Sequence, residues 1–535
     1  MTVTRRSLLG SMAKLGGAGA VAETLVLWDF LKAPPALAAS LALPRESGSG
    51  KTVVILGAGV SGLCAAYELD RAGYDCVILE AQRRAGGRSL TLRRGDTFKE
   101  MNQPAQTVQF DEGLYLNAGP GRIPHHHVNV IDYCRRFGVA LQPYIFASRA
   151  NLAHSSTLGN GRTVPVREAL YSLQGHVAEL LDKCHAKGAL DLPVTGEDLG
   201  KLHEMLVKFG DLSSVPGKGY SYQNESGRAG LARPAGVARP ADPISPMKLE
   251  EILRSRLWSD WIFRDADIYW QTSLLEPVGG MDQFFRGFLR QPLTRQSGTI
   301  EGLIRYAAKV TDIDVATDKV TVRTEEPGGA RVLQADYCVC TIPLPVFARL
   351  NTNLPPAYME AAATTLTMAA GKVGWQAQRF WETEAQIYGG ISWTTDTIDQ
   401  IWYPSFDYLS AKGTLTGAYI RGKPATDFNQ KPLAERLAIA REQGERLHPG
   451  YAKYVEHGVA IGWDNMEFAR GGWVNEDADN FGKNSATLAV PQPPPNGRFH
   501  MAGDQLTFVS GWQEGAVIAA HYAVAGIDRQ VRGTP

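Results

Sequence analysis

Residues Lys51 to Arg88, KTVVILGAGVSGLCAAYELDRAGYDCVILEAQRRAGGR, constrain the fold more than any other stretch of the chain. The apolar run Thr52 to Leu56 reads as a buried parallel strand, Gly57-Ala58-Gly59-Val60-Ser61-Gly62 as the turn after it, and Leu63 to Ala72 as a helix. Gly57 permits the tight turn, Gly59 leaves room for a pyrophosphate against the backbone, and Gly62 lets helix and strand pack closely. The helix N-terminus, with Ser61 in its first turn, then presents free N–H groups and a partial positive charge to phosphates. A second strand, Asp75 to Leu79, ends at Glu80, an acid placed to accept hydrogen bonds from ribose hydroxyls, and Ala81 comes next. The predicted unit is a doubly wound α/β domain that binds a dinucleotide.

The residues beyond Glu80 select among dinucleotides. Arg84 and Gly86-Gly87-Arg88 resemble the second fingerprint of the FAD-binding amine oxidases, in which a glycine pair and an arginine fold over the pyrophosphate. NAD-dependent dehydrogenases lack this extension, so the resemblance implies FAD.

At 535 residues the chain is too long for one core and predicts two or three domains. Lys plus Arg and Asp plus Glu balance at 55 each, which argues against a nucleic-acid partner read by bulk charge. The first 40 residues differ in kind. Thr4-Arg5-Arg6-Ser7-Leu8-Leu9 is a twin-arginine pattern, followed by a moderately apolar stretch and the small-residue site Ala36-Leu37-Ala38. This reads as a Tat signal peptide, with export to the periplasm or medium; a retained amphipathic helix is the alternative. Glu23, Asp29 and Lys32 make the stretch a poor membrane span, and no later run is long and apolar enough. The 6 cysteines form no C-x-x-C and no paired spacing, so neither a metal site nor a disulfide framework is expected.

Further along, Gly119-Pro120-Gly121-Arg122-Ile123-Pro124 looks like the GxMRIP segment of L-amino acid oxidases. There the small residues lie against the flavin and the arginine forks onto the substrate carboxylate, a geometry that suits a guanidinium. Gly121 replaces the family's usual methionine and is expected to leave room beside the ring. His125-His126-His127 reads as a polar helix entry, since three consecutive side chains do not converge on one ion in an ordinary loop. Helical spacing recurs over Val130 to Phe137, Glu168 to Lys187, Gly196 to Phe209 and Leu249 to Trp258, while Asp211 to Met247 reads as a long loop or lid. Tyr220, Tyr222 and Arg228 are candidates to line a substrate funnel there.

Other segments carry further expectations by resemblance. Glu276-Pro277-Val278-Gly279-Gly280-Met281 is similar to the family's PxGGM return to the nucleotide domain, and Val310 takes the place of a valine that contacts adenine. Lys372 matches a lysine that holds a water against flavin N5. Tyr403, a tyrosine before proline, is expected to join Arg122 on the substrate carboxylate. No cysteine occurs after residue 341, so the flavin should be non-covalent, with Trp463 packed on the ring system. The strand Phe499 to Ala502 ends in Gly503-Asp504, which places a carboxylate on the ribityl chain. Gly511, Trp512 and Gln513 then start a helix aimed at the flavin pyrimidine. Trp512 corresponds to one wall of the cage around the substrate amine.

The chain is thus identified as a member of the FAD-dependent amine oxidase superfamily, most similar in its motifs to bacterial L-amino acid oxidases. The expected organisation is a signal peptide over 1–40, an FAD domain from 50–128, 277–350 and 485–530, a helical insertion at 129–270, and a substrate-binding mixed sheet at 351–484. The expected reaction is oxidative deamination of L-amino acids, large or aromatic, with O2 as acceptor. Alternatives are a monoamine or polyamine oxidase, an amino acid 2-monooxygenase, or a non-catalytic flavoprotein. Oligomeric state, a homodimer included, is open.

Overall fold

The computed structural model describes residues 41–189, 196–217, 219–259, 261–494 and 497–533. The twin-arginine segment lies outside them. Strand Thr52–Leu56 is the middle of a five-stranded parallel sheet ordered Ile304–Tyr306, Asp75–Glu80, Thr52–Leu56, Tyr337–Cys340, Phe499–Met501. Its side chains alternate between two cores, as the twofold strand period requires. Val53 and Ile55 pack with Leu63, Leu69, Val517 and Val524, whereas Val54 and Leu56 pack with Val310, Ile313, Phe347 and Phe499. Burial on both faces explains why the strand reads as an unbroken apolar run. Helices Val60–Arg71 and Gln513–Arg532 cover the first face; the sheet of Lys309–Val315, Val320–Glu326 and Gly329–Ala335 lies toward the second.

A second, seven-stranded sheet is ordered Val455–Gly462, Ala370–Gln378, Lys412–Arg421, Gln400–Tyr403, Gly390–Thr394, Leu152–His154, Val164–Pro165. It is antiparallel apart from the parallel contact of Gly390–Thr394 with Leu152–His154. Two of its strands therefore come from the stretch expected to be helical. The helices of that stretch are Val128–Arg136, Val166–Ala186, Gly196–Gly210 and Leu249–Ser255.

The stretch Asp211 to Met247 is not a plain loop. It contains antiparallel pairs Leu212–Val215 with Gly219–Tyr222 and Leu231–Arg233 with Asp242–Pro243. The first is pinned because Leu212 and Tyr222 bury against Ala178 and Leu206, and the Tyr222 ring fills the space where a Cβ on Gly175 would stand, at 2.3 Å. Tyr220 packs edge-on to His203 at 4.7 Å, and Arg228 donates to the Phe209 carbonyl at 2.7 Å. All three side chains thus face the insertion's own helices and line no part of the large cavity between the two sheets. Among the described residues no helix is long and apolar enough to cross a membrane.

Candidate active site

A cavity of about 1070 Å³ runs from the first glycine turn to the second sheet. At its near end Gly57 adopts φ +102° and donates to the Leu79 carbonyl at 2.8 Å. A Cβ there would lie 2.6 Å from Thr341 Oγ1, so the positive φ and the close approach both require glycine. Gly59 faces open space, with nothing within 4 Å of its would-be Cβ. Gly62 does not line the cavity: its would-be Cβ falls 2.0 Å from the Gly57 carbonyl, making it a packing glycine between helix and turn. Glu80 accepts from the Ala58 and Gln82 amides, each at 2.8 Å, and burial raises its pKa. Ala81 lines the same wall.

Around the next stretch, Arg84 folds inward and donates to the Gly87 carbonyl at 2.9 Å. Arg88 pairs with Asp504 and donates to the Gly472 carbonyl at 2.5 Å, while the second Asp504 oxygen accepts from the Gly511 amide at 2.9 Å. Gly119, Pro120, Val310, Gly503 and Gln513 complete these walls, joined by Thr341, Pro343 and Arg349, which the sequence motifs did not single out. Two buried polar atoms on the walls, Ser61 Oγ and Gln513 Oε1, have no protein partner. Orphaned acceptors and donors beside an open glycine and a helix N-terminus fit a phosphate-bearing dinucleotide. No cysteine lines the cavity among the described residues.

The far end is walled by Lys372, Tyr419, Trp463, Trp473 and Trp512. Lys372 and Tyr419 are directly opposite one another on antiparallel strands. Lys372 Nζ donates to the carbonyls of Asn117 at 2.9 Å and Gly119 at 2.6 Å, and lies 4.5 Å from the Trp402 ring centre. Burial, aided by the nearby Arg122 charge, brings its pKa down to about 7. Trp463 donates from Nε1 to the Ala118 carbonyl at 3.0 Å, which fixes its indole plane.

Arg122 stands behind this wall, only 7% exposed. Its guanidinium lies over the rings of Trp270 at 4.2 Å, Trp402 at 4.8 Å, Phe146 at 5.3 Å and Trp512 at 5.8 Å. Such stacking covers the faces of the planar cation and leaves its N–H edge for hydrogen bonds. Nε has no partner, and no carboxylate of the described residues pairs with the group. Burial lowers its pKa, partly offset by the Tyr144 and Tyr419 hydroxyls; the Tyr144 hydroxyl is itself buried without a partner of good geometry. His127 packs edge-on to Trp512 at 5.0 Å and is held neutral by burial. His127 occupies the N-cap position of helix Val128–Arg136 without a side-chain cap hydrogen bond.

Two further sequence expectations need correction. Tyr403 does not reach the site: it is 1% exposed, and its hydroxyl is bonded to Ser392 Oγ at 2.8 Å and His448 Nε2 at 2.6 Å. The strand Gln400–Tyr403 sends Trp402 toward Arg122 and, by the twofold period, Tyr403 into the opposite core. Gly121 does not open space beside the cofactor either. It is off the cavity wall, and its would-be Cβ lies 2.8 Å from Trp402 Cζ3, so the indole occupies the volume. Tyr419, Trp402, Trp270 and Tyr144 were missed, because only strand register and loop folding bring them to Arg122.

The family model described as flavin containing amine oxidoreductase matches residues 60–527. The flavin-dependent L-tryptophan oxidase RebO of Lentzea aerocolonigenes is 28% identical over 511 residues, spanning 89% of this chain and 98% of that protein. The L-amino-acid oxidase of Protobothrops flavoviridis is 26% identical, spanning 91% of this chain and 90% of that protein. Among solved structures, cyclohexylamine oxidase from Brevibacterium oxydans IH-35A matches with a TM-score of 0.59 at 18% identity, over 90% of this chain and 99% of that chain. Putrescine oxidase bound to putrescine matches with a TM-score of 0.56 at 18% identity, over 89% of this chain and 98% of that chain. At such identity these structures speak for the fold alone.

Proposed function

The chain belongs to the flavin-containing amine oxidoreductase family, and we propose that within it the enzyme oxidatively deaminates L-amino acids to 2-oxo acids, ammonia and H2O2. The observation that carries this reading is Arg122, a buried guanidinium with an unpartnered Nε and no carboxylate counter-ion among the described residues. A buried cation left so is costly, and a substrate carboxylate is the partner that satisfies it. A simple amine offers none, which sets the monoamine and polyamine readings behind.

FAD, held non-covalently, supplies the redox chemistry when bound, accepting two electrons from the substrate and passing them to O2. The chain's own residues bind and orient. Gly59, the amides after it and Ser61 Oγ would hold the phosphates, Glu80 would take the adenosine ribose and Val310 would face the adenine. Arg122 holds the carboxylate by its N–H edge, with the Tyr419 hydroxyl, in place of Tyr403, as the neighbouring donor. Fixing that end aligns the Cα carbon. Trp463, Trp473 and Trp512 exclude water from the far end. Lys372 Nζ titrates near pH 7 beside them, so it is neutral at alkaline pH and able to accept as well as donate a hydrogen bond. Phe146, Trp270, Trp402 and Trp512 around the carboxylate site favour large aromatic side chains, in line with the tryptophan oxidase among the relatives. The twin-arginine segment supports export of the folded, flavin-loaded enzyme.

Peroxide and ammonia release should be monitored with the twenty L-amino acids, their D-forms and the matching decarboxylated amines. L-tryptophan or L-phenylalanine is expected to exceed its amine by orders of magnitude. Faster turnover of tryptamine or phenethylamine would sink the reading. An amide product without peroxide would instead mark a monooxygenase.

A further inference from the structure

The helical insertion carries a side-chain cluster that the oxidase chemistry does not use. Asp182 and His185 lie three positions apart on helix Val166–Ala186 and so share a face. His203 projects from the neighbouring helix Gly196–Gly210, which packs against it. One ligand atom from each residue lies within 4.8 Å of the other two. Asp182 is 6% exposed and its Oδ1 is 2.6 Å from His203 Nδ1. The two imidazoles are nearly parallel, with centroids 6.2 Å apart, and the His185 ring makes no hydrogen bond among the described residues. Tyr220 packs edge-on to His203 at 4.7 Å and limits its rotation.

We propose that Asp182, His185 and His203 bind a divalent transition metal ion, Zn2+ by preference, that clasps the two insertion helices together. Two imidazoles and one carboxylate are the donors of zinc-type sites, whereas Ca2+ and Mg2+ take oxygen ligands alone. Three protein ligands leave the fourth tetrahedral position to water. Bonds of about 2.0–2.1 Å set ligand atoms roughly 3.3 Å apart, so the three ligand atoms, already within 4.8 Å of one another, close on an ion by side-chain rotation, with the Asp182–His203 pair opening from 2.6 Å. The hydrogen bond between Asp182 and His203 is then exchanged for bonds to the ion, and the imidazole nitrogen that coordinates must be free of its proton.

The test uses the full-length, FAD-loaded enzyme without a polyhistidine tag, stripped with EDTA, dialysed, and titrated calorimetrically with ZnCl2 and MgCl2. One Zn2+ per chain is expected, with a dissociation constant of about 1 µM or below and no comparable Mg2+ binding. His185→Gln and Asp182→Asn should bind Zn2+ at least roughly 100-fold more weakly. Their flavin absorbance and circular dichroism should be unchanged. Zn2+ should raise the melting temperature of the wild type and of neither variant. The proposal is overturned if the wild type takes up no Zn2+ below about 100 µM. It is equally overturned if the correctly folded variants bind as tightly as the wild type, which would place the ion elsewhere.

Discussion

Arg88 and Asp504, 416 residues apart in the chain, form a salt bridge on the cavity wall. Because Arg88 also holds the Gly472 carbonyl and Asp504 also holds the Gly511 amide, the pair fastens three segments around the cofactor. Arg88 is 29% exposed and Asp504 8%, so removing either partner should cost about 1–3 kcal/mol, less than for a fully buried pair. Arg88→Met and Asp504→Ala are expected to raise the FAD dissociation constant roughly 10- to 100-fold. Flavin fluorescence after gel filtration measures it; unchanged retention would show that the pair does not support the site.

Arg122→Met removes the carboxylate partner. A buried charge pair loses about 2–5 kcal/mol when truncated, so kcat/KM for the best L-amino acid should fall roughly 30- to several-thousand-fold. Arg122→Lys keeps a charge without the fork and should recover only part of it. FAD content should not change. An unaltered KM in both variants would move the carboxylate site elsewhere.

Tyr403 and Tyr419 should separate cleanly. Tyr403→Phe removes the hydroxyl bonded to Ser392 and His448 and should cost about 1–3 kcal/mol of stability, seen as a lower melting temperature, with kcat/KM within about twofold of wild type. Tyr419→Phe, on the cavity wall beside Lys372, should instead raise KM with little thermal effect. The reverse pattern would restore Tyr403 to the site.

Lys372 gives a pH signature. Its folded pKa lies near 7 against an ordinary value of 10.5, so between those values the unfolded chain binds more protons and stability rises with pH. The burden is complete below pH 7 and gone above pH 10.5. Lys372→Met abolishes it, so the variant's melting temperature should gain on the wild type's as pH falls from 9.5 toward 7. The wild type kcat/KM profile should also carry a limb near pH 7 that the variant lacks. Parallel melting curves across this range would refute the assignment.

The nucleotide end was legible because its demands are local: Gly57, Gly59 and Gly62 are dictated by φ, by open space and by one carbonyl in contact, all within a few residues. The parallel strands were legible for the same reason, being buried on both faces. The far end depends on register. Trp402 and Tyr403 are adjacent aromatic residues, and nothing in the sequence says which of two adjacent positions faces Arg122. Tyr419 faces Lys372 only through strand pairing, and Trp270 arrives from a loop. Asp182, His185 and His203 match no sequence motif, and His203 joins the other two only once the two helices pack together.

Gly121 and Trp402 share one volume. The indole sits where a side chain at position 121 would go, so the two residues form a single steric variable rather than two. Any enlargement at 121 has to be matched by a reduction at 402, and the reduction strips one aromatic face from the Arg122 guanidinium. Substitutions at these positions are therefore exchangeable only as a pair, and each exchange trades shielding of the cation against bulk on the backbone beneath it.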